Sequence, residues 1–149
     1  MKTRLFLLLP ALVLSGCTSS GASSSKEESK KSGSVETTMK LSIDGKELKV
    51  AWESNDSVKA IKEALPVTIN MNEFGGFEQT GPMGFSVTRS DTQMDVVPGD
   101  IVLYGGDAIS VFYNESAWTY TRLGHIDLSQ EELIGLLKKP SVTFTLKGE

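Results

Sequence analysis

The chain has 149 residues, 39% of them hydrophobic, which suffices for one ordinary domain with a hydrophobic core. Its formal net charge is −4, and from Met39 onward ten Lys and Arg residues stand against sixteen Asp and Glu, which gives −6. This acidic balance argues against nucleic acid as a partner, because binding to phosphate backbones relies on clustered Lys and Arg.

The chain contains one cysteine, Cys17, and one histidine, His125. An intramolecular disulfide is therefore excluded, as are zinc sites built from several Cys or His ligands within one chain. Cys17 also lies in an apolar N-terminal segment, which argues against a Cys–His nucleophilic pair. We interpret His125 as structural or exposed rather than as a general base, and we predict no catalytic residue, no metal and no cofactor.

The amino terminus has the pattern of a signal peptide. Residues 1–4 are positively charged, and the apolar stretch over residues 5–14 is too short to span a bilayer stably. The next residues, Leu14-Ser15-Gly16-Cys17, resemble the lipobox of bacterial lipoproteins. This resemblance implies cleavage after residue 16 and a diacylglyceryl group on Cys17. The alternative is an ordinary secretory signal with an incidental cysteine.

The segment that follows is predicted to be a flexible tether. Residues 18–38 hold eight serines and two glycines, with three lysines balanced by three glutamates. Such a composition buries too little apolar surface to offset the entropy of ordering. We therefore predict three parts: a signal peptide (1–16), a lipidated tether (17–38) and a folded domain (39–149). The protein is expected outside the cytoplasm, held to a membrane of the bacterial envelope by its lipid.

The folded part begins with a predicted β-hairpin. Apolar residues alternate with polar ones over residues 39–43 and 48–52, on either side of Asp44-Gly45. Asp-Gly favours the positive φ angles that a tight turn needs. Val58, Ile61 and Leu65 then recur at helical spacing and predict a short helix that ends before the proline at position 66.

Strand patterns dominate the rest of the chain. Val67, Ile69 and Met71 alternate with polar residues, and a glycine-rich loop is predicted to follow over residues 75–82. Further strands are predicted at Phe85–Thr88, Ile101–Tyr104, Ile109–Tyr113, Trp118–Leu123 and Val142–Leu146. Many short strands with frequent turns indicate a barrel or a sandwich.

A second helix is predicted after these strands. Ser129 and Glu132 have the spacing of a capping box, and Leu128 and Leu133 can form a hydrophobic staple around it. Lys138-Lys139 stands at the predicted carboxyl end, where positive charge complements the helix dipole.

Five segments of the sequence together resemble a known family. They are Leu65–Ile69, Phe77-Glu78, Pro98–Tyr104, Ile109–Tyr113 and Arg122–Ile126. They resemble a bacterial family of cyclophilin-like domains, and the resemblance covers most of Met39 to Leu146. It implies a mainly β fold: a closed, eight-stranded antiparallel barrel with two short helices over its open ends.

Two groups of residues are candidates for ligand binding. The first is the segment over residues 72–82, which includes the glycine-rich loop and in which Asn72, Glu78 and Gln79 offer polar groups for a ligand rim. The alternative is that the glycines only allow a long barrel corner, with Glu78 paired to a strand residue.

The second group lies on the later strands. Arg122 shares an alternating face with Trp118 and Tyr120, so its guanidinium can receive a carboxylate ligand beside aromatic rings, or form an internal salt bridge with Glu78. The aromatic residues on nearby strands either line a pocket or pack in the core; they are Tyr104, Phe112 and Tyr113.

The predicted function is that of a binding module rather than an enzyme. Cyclophilins that isomerise prolyl bonds use an arginine within a Phe-His-Arg motif, and this chain has no such motif. Stabilising a twisted amide depends on a placed cationic donor. We therefore expect a lipid-anchored module for a peptide or a small molecule. The alternatives are an extracytoplasmic peptidyl-prolyl isomerase or diverged enzyme, and a purely structural envelope protein.

Overall fold

The computed structural model describes residues 38–149. The predicted signal peptide, Cys17 and the predicted tether up to residue 37 lie outside the described residues. The strands are β1 (Met39–Ile43), β2 (Lys46–Leu48), β3 (Val50–Trp52), β4 (Val67–Phe74), β5 (Glu78–Pro82), β6 (Thr92–Val96), β7 (Asp100–Tyr104), β8 (Ala108–Phe112), β9 (Ser116–Ile126) and β10 (Ser141–Gly148). The helices are α1 (Asp56–Glu63) and α2 (Gln130–Leu137).

The strands form one nearly closed antiparallel barrel. Hydrogen-bonded neighbours follow the order β2-β1-β10-β4-β5-β8-β7-β9-β3, and β6 pairs with β9 beside this path. Only Lys49 separates β2 from β3, so one short chain segment pairs with β1 at one end and with β9 at the other. The predicted mainly β barrel with two helices is thus confirmed. Its path has nine strands rather than the predicted eight, because Lys49 interrupts one strand and divides it into β2 and β3.

The core fills the inside of this barrel. Val67, Ile69 and Met71 of β4 are buried, and the polar residues between them are exposed, as the alternation predicts. Both helices contribute to the same core cluster, α1 through Val58 and Ile61 and α2 chiefly through its buried leucines. Residues on the inner face of the barrel therefore serve mainly packing.

The turns and helix starts agree with the sequence signals. Asp44 and Gly45 adopt positive φ angles of 50° and 82° in the β1–β2 turn. Ser129 and Glu132 form the predicted capping box at the start of α2. Lys138 is the C-cap residue of α2, so a basic residue does stand at its carboxyl end, although the last turn itself holds none; Lys139 pairs with Asp44 at 3.1 Å.

Three strand predictions require correction. Residues 75–82 were predicted as a loop, but only a tight turn precedes β5, which starts at Glu78. Residues 85–88 form no strand; Val87 donates one isolated hydrogen bond to Gly106, without a ladder. Strand β6 escaped prediction because three of its five residues are polar; it pairs with β9, and only its last residue, Val96, is buried.

Candidate functional site

A cleft lies on the outer face of the barrel, over β5, β7, β8 and β9. Strand alternation places Glu78 and Thr80 of β5 on this face, while Gln79 between them faces the interior. The cleft has a volume of about 330 Å³. We call it the outer cleft; its lining residues are Phe74, Phe77, Glu78, Thr80, Tyr104, Ser110, Ser116, Ala117, Trp118 and Tyr120.

The outer cleft gathers exposed aromatic rings. Four large hydrophobic residues are conspicuously exposed among residues 38–149: Phe74 (60%), Val97 (47%), Tyr104 (48%) and Trp118 (58%). All of these except Val97 line the cleft. Single exposed hydrophobic residues are ordinary, but a rimmed cluster of them marks binding surfaces.

A second, smaller hydrophobic cluster supports these rings from below. Its fully packed members are Val96, Val102, Phe112 and Tyr120, on the opposite face of the sheet from the main core. Phe112 stacks on Phe77 with ring centroids 6.3 Å apart, and its ring meets that of Tyr120 edge-on at 5.6 Å. Such packing holds the floor of the cleft in one arrangement before any ligand binds.

One charged side chain lines the outer cleft. Glu78 is only 7% exposed, and its Oε2 atom has no hydrogen-bond partner. Burial raises the pKa of the Glu78 carboxyl above its ordinary value of 4.5, and the nearby Ser110 hydroxyl offsets part of this rise. The Ser110 hydroxyl itself donates to Thr80 Oγ1 at 2.8 Å. One oxygen of the Glu78 carboxyl is thus buried without a hydrogen-bond partner.

Tyr120 stands close to this acid. Burial raises the pKa of the Tyr120 phenol, and the negative charge of Glu78 raises it further. The Ser116 hydroxyl acts in the opposite direction. At neutral pH the phenol therefore keeps its proton and can serve as a hydrogen-bond donor in the cleft.

The β4–β5 turn fixes the aromatic rim. Glu73 Oε1 accepts hydrogen bonds from the Gly76 amide at 2.6 Å and from the Tyr113 hydroxyl at 2.7 Å. Burial, followed by this bond to Glu73, raises the pKa of Tyr113 to about 12. The turn is therefore tied to the end of β8, and Phe74 and Phe77 at its two sides meet edge-on with centroids 5.9 Å apart.

The sequence-predicted candidates divide between the cleft and other places. Glu78, Tyr104 and Tyr120 line the outer cleft, and Phe112 forms its floor. Four others do not line it; they are Asn72, Gln79, Tyr113 and Arg122. Asn72 is exposed on β4, and Tyr113 is buried against Glu73.

Gln79 has a structural role inside the barrel. Its Nε2 atom donates to the carbonyls of Leu137 at 2.8 Å and Lys139 at 2.6 Å. These carbonyls belong to the end of α2, where backbone acceptors lack helical partners. Gln79 therefore fastens α2 to β5 and does not face a ligand.

The predicted ion pair between Arg122 and Glu78 is wrong. Arg122 Nη1 lies 2.7 Å from Asp100 Oδ1, and His125 Nδ1 lies 2.9 Å from the same oxygen. The reason is strand pairing, because β9 pairs with β7 in a register that sets Asp100 opposite His125 and Val102 opposite Arg122. Asp100 is buried, and its other oxygen accepts from the Val97 amide at 3.0 Å, so this cluster is internally satisfied.

Several cleft residues escaped the sequence analysis. Phe74 follows the strand alternation of β4 beyond its buried part, and Trp118 was noted only as a neighbour of Arg122. A usable signal exists in both cases, since large aromatic residues occupy positions that the alternation assigns to solvent. The hydroxyl residues have no comparable signal; they are Thr80, Ser110 and Ser116.

Comparison with known proteins bears on the fold. A sequence model for the family described as the cyclophilin-like family matches residues 41–147, more than two thirds of the chain. No curated protein matches the chain.

Among residues 38–149, neither helix is long and apolar enough to cross a membrane. The same residues contain no group of three or more His, Cys, Asp or Glu side chains that could hold a metal ion.

Proposed function

The chain belongs to the cyclophilin-like family, and from this premise we propose that it is a binding module that takes a small molecule or a peptide group in the outer cleft. One observation carries this proposal: three of the four conspicuously exposed hydrophobic residues within residues 38–149 line one cleft together with a buried acid. Exposed aromatic rings around a few polar groups are typical of ligand sites. Because a fold by itself does not assign a function, the argument depends on this cleft.

The arginines of the domain argue against prolyl isomerisation. Within residues 38–149 the chain has two arginines, Arg89 and Arg122, and neither lines the outer cleft. Arg89 Nε lies 3.4 Å from Asp91, and Arg122 is bonded to Asp100. A guanidinium held by a carboxylate elsewhere does not stabilise a twisted amide in the cleft. We therefore propose binding without turnover.

A ligand screen by thermal shift tests the binding proposal. Compounds that raise the melting temperature of the wild type are measured again with Phe74→Ala and with Val97→Ala. Both variants shorten an exposed hydrophobic residue, but only Phe74 lines the cleft. Hits should lose most of their shift in Phe74→Ala and keep it in Val97→Ala. Equal loss in both variants, or in neither, contradicts binding at the cleft.

An isomerase remains the second candidate, because an apolar aromatic cleft can also receive a proline ring. A proline-peptide isomerisation assay on the purified protein separates the two functions. Turnover by the wild type that exceeds the uncatalysed rate and falls in Phe74→Ala but not in Val97→Ala would overturn our preference for a binding module. If the protein instead has a purely structural role in the envelope, no compound in the screen should stabilise the wild type by binding in the cleft.

We also propose that the module works outside the cytoplasm, anchored by lipid on Cys17. The support is the order of charged start, apolar stretch, small residues and cysteine in the sequence. Two acyl chains suffice for stable membrane attachment. Bacteria that express the wild type should incorporate labelled palmitate into the protein, and Cys17→Ala should abolish the label. Retention of the label in the variant contradicts the anchor.

A further inference from the structure

We propose that the ligand of the outer cleft is a small organic cation, an ammonium group with apolar substituents held between the aromatic rings and Glu78. This inference rests on the proposed binding function and adds the chemical class of the ligand. Three features of the cleft support it: the negative charge of its lining, the carboxylate oxygen that has no hydrogen-bond partner, and the aromatic side chains that form its walls.

The first feature is charge. Glu78 is the only charged side chain among the ten lining residues, and no Lys or Arg stands among them. The domain around the cleft is also acidic, with sixteen Asp and Glu against ten Lys and Arg from Met39 onward. An anionic ligand would meet repulsion without a counter-charge, whereas a cation would be attracted at long range and at contact.

The second feature is the position of the acid. In the sheet register Glu78 lies between Phe74 of β4 and Phe112 of β8, so an aromatic residue stands opposite it on either side. Its Oε2 atom is removed from water and has no partner. A buried carboxylate in this state costs free energy unless a donor or a positive charge pairs with it. A bound ammonium group supplies the charge that the protein omits.

The third feature is the aromatic wall. Half of the lining residues are aromatic; they are Phe74, Phe77, Tyr104, Trp118 and Tyr120. The faces of such rings attract ammonium groups, most strongly where water is excluded. Apolar substituents on the nitrogen fit these walls, whereas a bare metal ion would need several oxygen ligands and the cleft has one carboxylate. The ring faces and the acid together select an organic cation.

A pair of matched probes tests this inference. Choline and 3,3-dimethylbutan-1-ol have nearly the same shape, but only choline carries a positive charge. Both are titrated by calorimetry into the full-length chain in nanodiscs of phosphatidylglycerol, a lipid without an ammonium headgroup, and the heat from empty nanodiscs is subtracted. Choline should bind at least about tenfold more tightly than the alcohol, because cation–π and charge attraction act on choline alone.

Two variants assign the difference to the cleft. Glu78→Gln should reduce the preference for choline about tenfold or more, because the amide keeps the shape and removes the charge. Glu115→Gln makes the same chemical change at an exposed residue next to the rim, outside the lining residues, and should leave the preference unchanged. The comparison of the two probes in the wild type needs no variant, so a folding defect in Glu78→Gln leaves the test intact.

The outcomes separate this inference from the proposed function. Equal affinity of both probes overturns the cation and leaves the cleft as a binding site for neutral ligands. Choline preference that survives in Glu78→Gln, or that falls equally in Glu115→Gln, also overturns it. If neither probe binds, the organic cation is wrong, and the thermal-shift screen with Phe74→Ala and Val97→Ala decides separately whether the cleft binds anything.

Discussion

The buried acid of the outer cleft makes the stability of the protein depend on pH in a defined direction. The pKa of Glu78 is raised above 4.5 by burial, so the folded state holds this proton more tightly than the unfolded state does. The contribution of Glu78 to stability is therefore fully present below pH 4.5 and is lost as the pH rises through the folded pKa. Glu78→Gln removes this titration and should stabilise the protein above that range.

The structure sets the size of this effect. One carboxylate oxygen is buried without a partner, and an unsatisfied buried polar group costs about 1–3 kcal/mol. Because the new amide brings donors that need partners too, we expect a gain near the lower end, about 1 kcal/mol at pH 8, and no gain at pH 4. For a domain of this size such a gain raises the melting temperature by roughly 4 °C.

Urea unfolding followed by circular dichroism, repeated from pH 4 to pH 8, measures the effect. The free energy of unfolding of the wild type should fall relative to Glu78→Gln as the pH rises. Glu115→Gln, an exposed control, should run parallel to the wild type. If Glu78→Gln is less stable than the wild type at pH 8, or if their difference is constant with pH, Glu78 has a partner in solution and our account of the acid is refuted.

Three substitutions outside the cleft test the packing that positions it, and urea unfolding measures each. Asp100→Ala leaves the part-exposed Arg122 guanidinium and the Val97 amide without their buried acceptor and should cost about 1–3 kcal/mol; a loss below about 1 kcal/mol contradicts this role. Gly81→Ala places a methyl group 2.8 Å from the Asn70 carbonyl oxygen and should cost about 1–3 kcal/mol, whereas neutrality would show that the strands separate freely. Ser129→Ala removes the capping box of α2 and should cost about 1 kcal/mol; Ser129→Asp should retain most of the stability, and equal losses in both variants argue against capping.

Local patterns in the sequence predicted much of the barrel. The Asp44-Gly45 turn and the Ser129 cap depend on residues within a few positions of each other, so their signals are complete in a short stretch. The alternation in β4 is equally clear because one face meets the core. Strand β6 carried no such signal, since only Val96 among its five residues is buried and the strand pairs with a distant segment, β9.

The site was only partly predictable, because it depends on strand order. Glu78, Tyr104 and Tyr120 were selected from the sequence and do line the cleft. Arg122 was expected beside Glu78, but β9 pairs with β7, and Asp100 on that adjacent strand binds it instead. Which residues become neighbours across a sheet is decided by topology, and a single sequence does not state it.

The inward orientation of Gln79 was also not predictable from the sequence. A polar residue in a glycine-rich segment suggested a loop and a ligand rim, but the segment is a strand and Gln79 bonds the end of α2. Its role depends on a helix end that lies more than fifty residues later in the chain. Polar residues with such distant partners look like surface residues in the sequence.

The central claim is that the outer cleft binds the ligand, and fluorine NMR tests it most directly. The chain has two tryptophans: Trp118 lines the cleft, and Trp52 of β3 lies outside it and donates its indole N–H to the Met39 carbonyl of β1. Protein labelled with 5-fluorotryptophan gives one resonance for each, assigned with Trp118→Phe. A ligand that stabilises the protein should move the Trp118 resonance and leave that of Trp52 in place. Movement of the Trp52 resonance alone would contradict binding at the cleft.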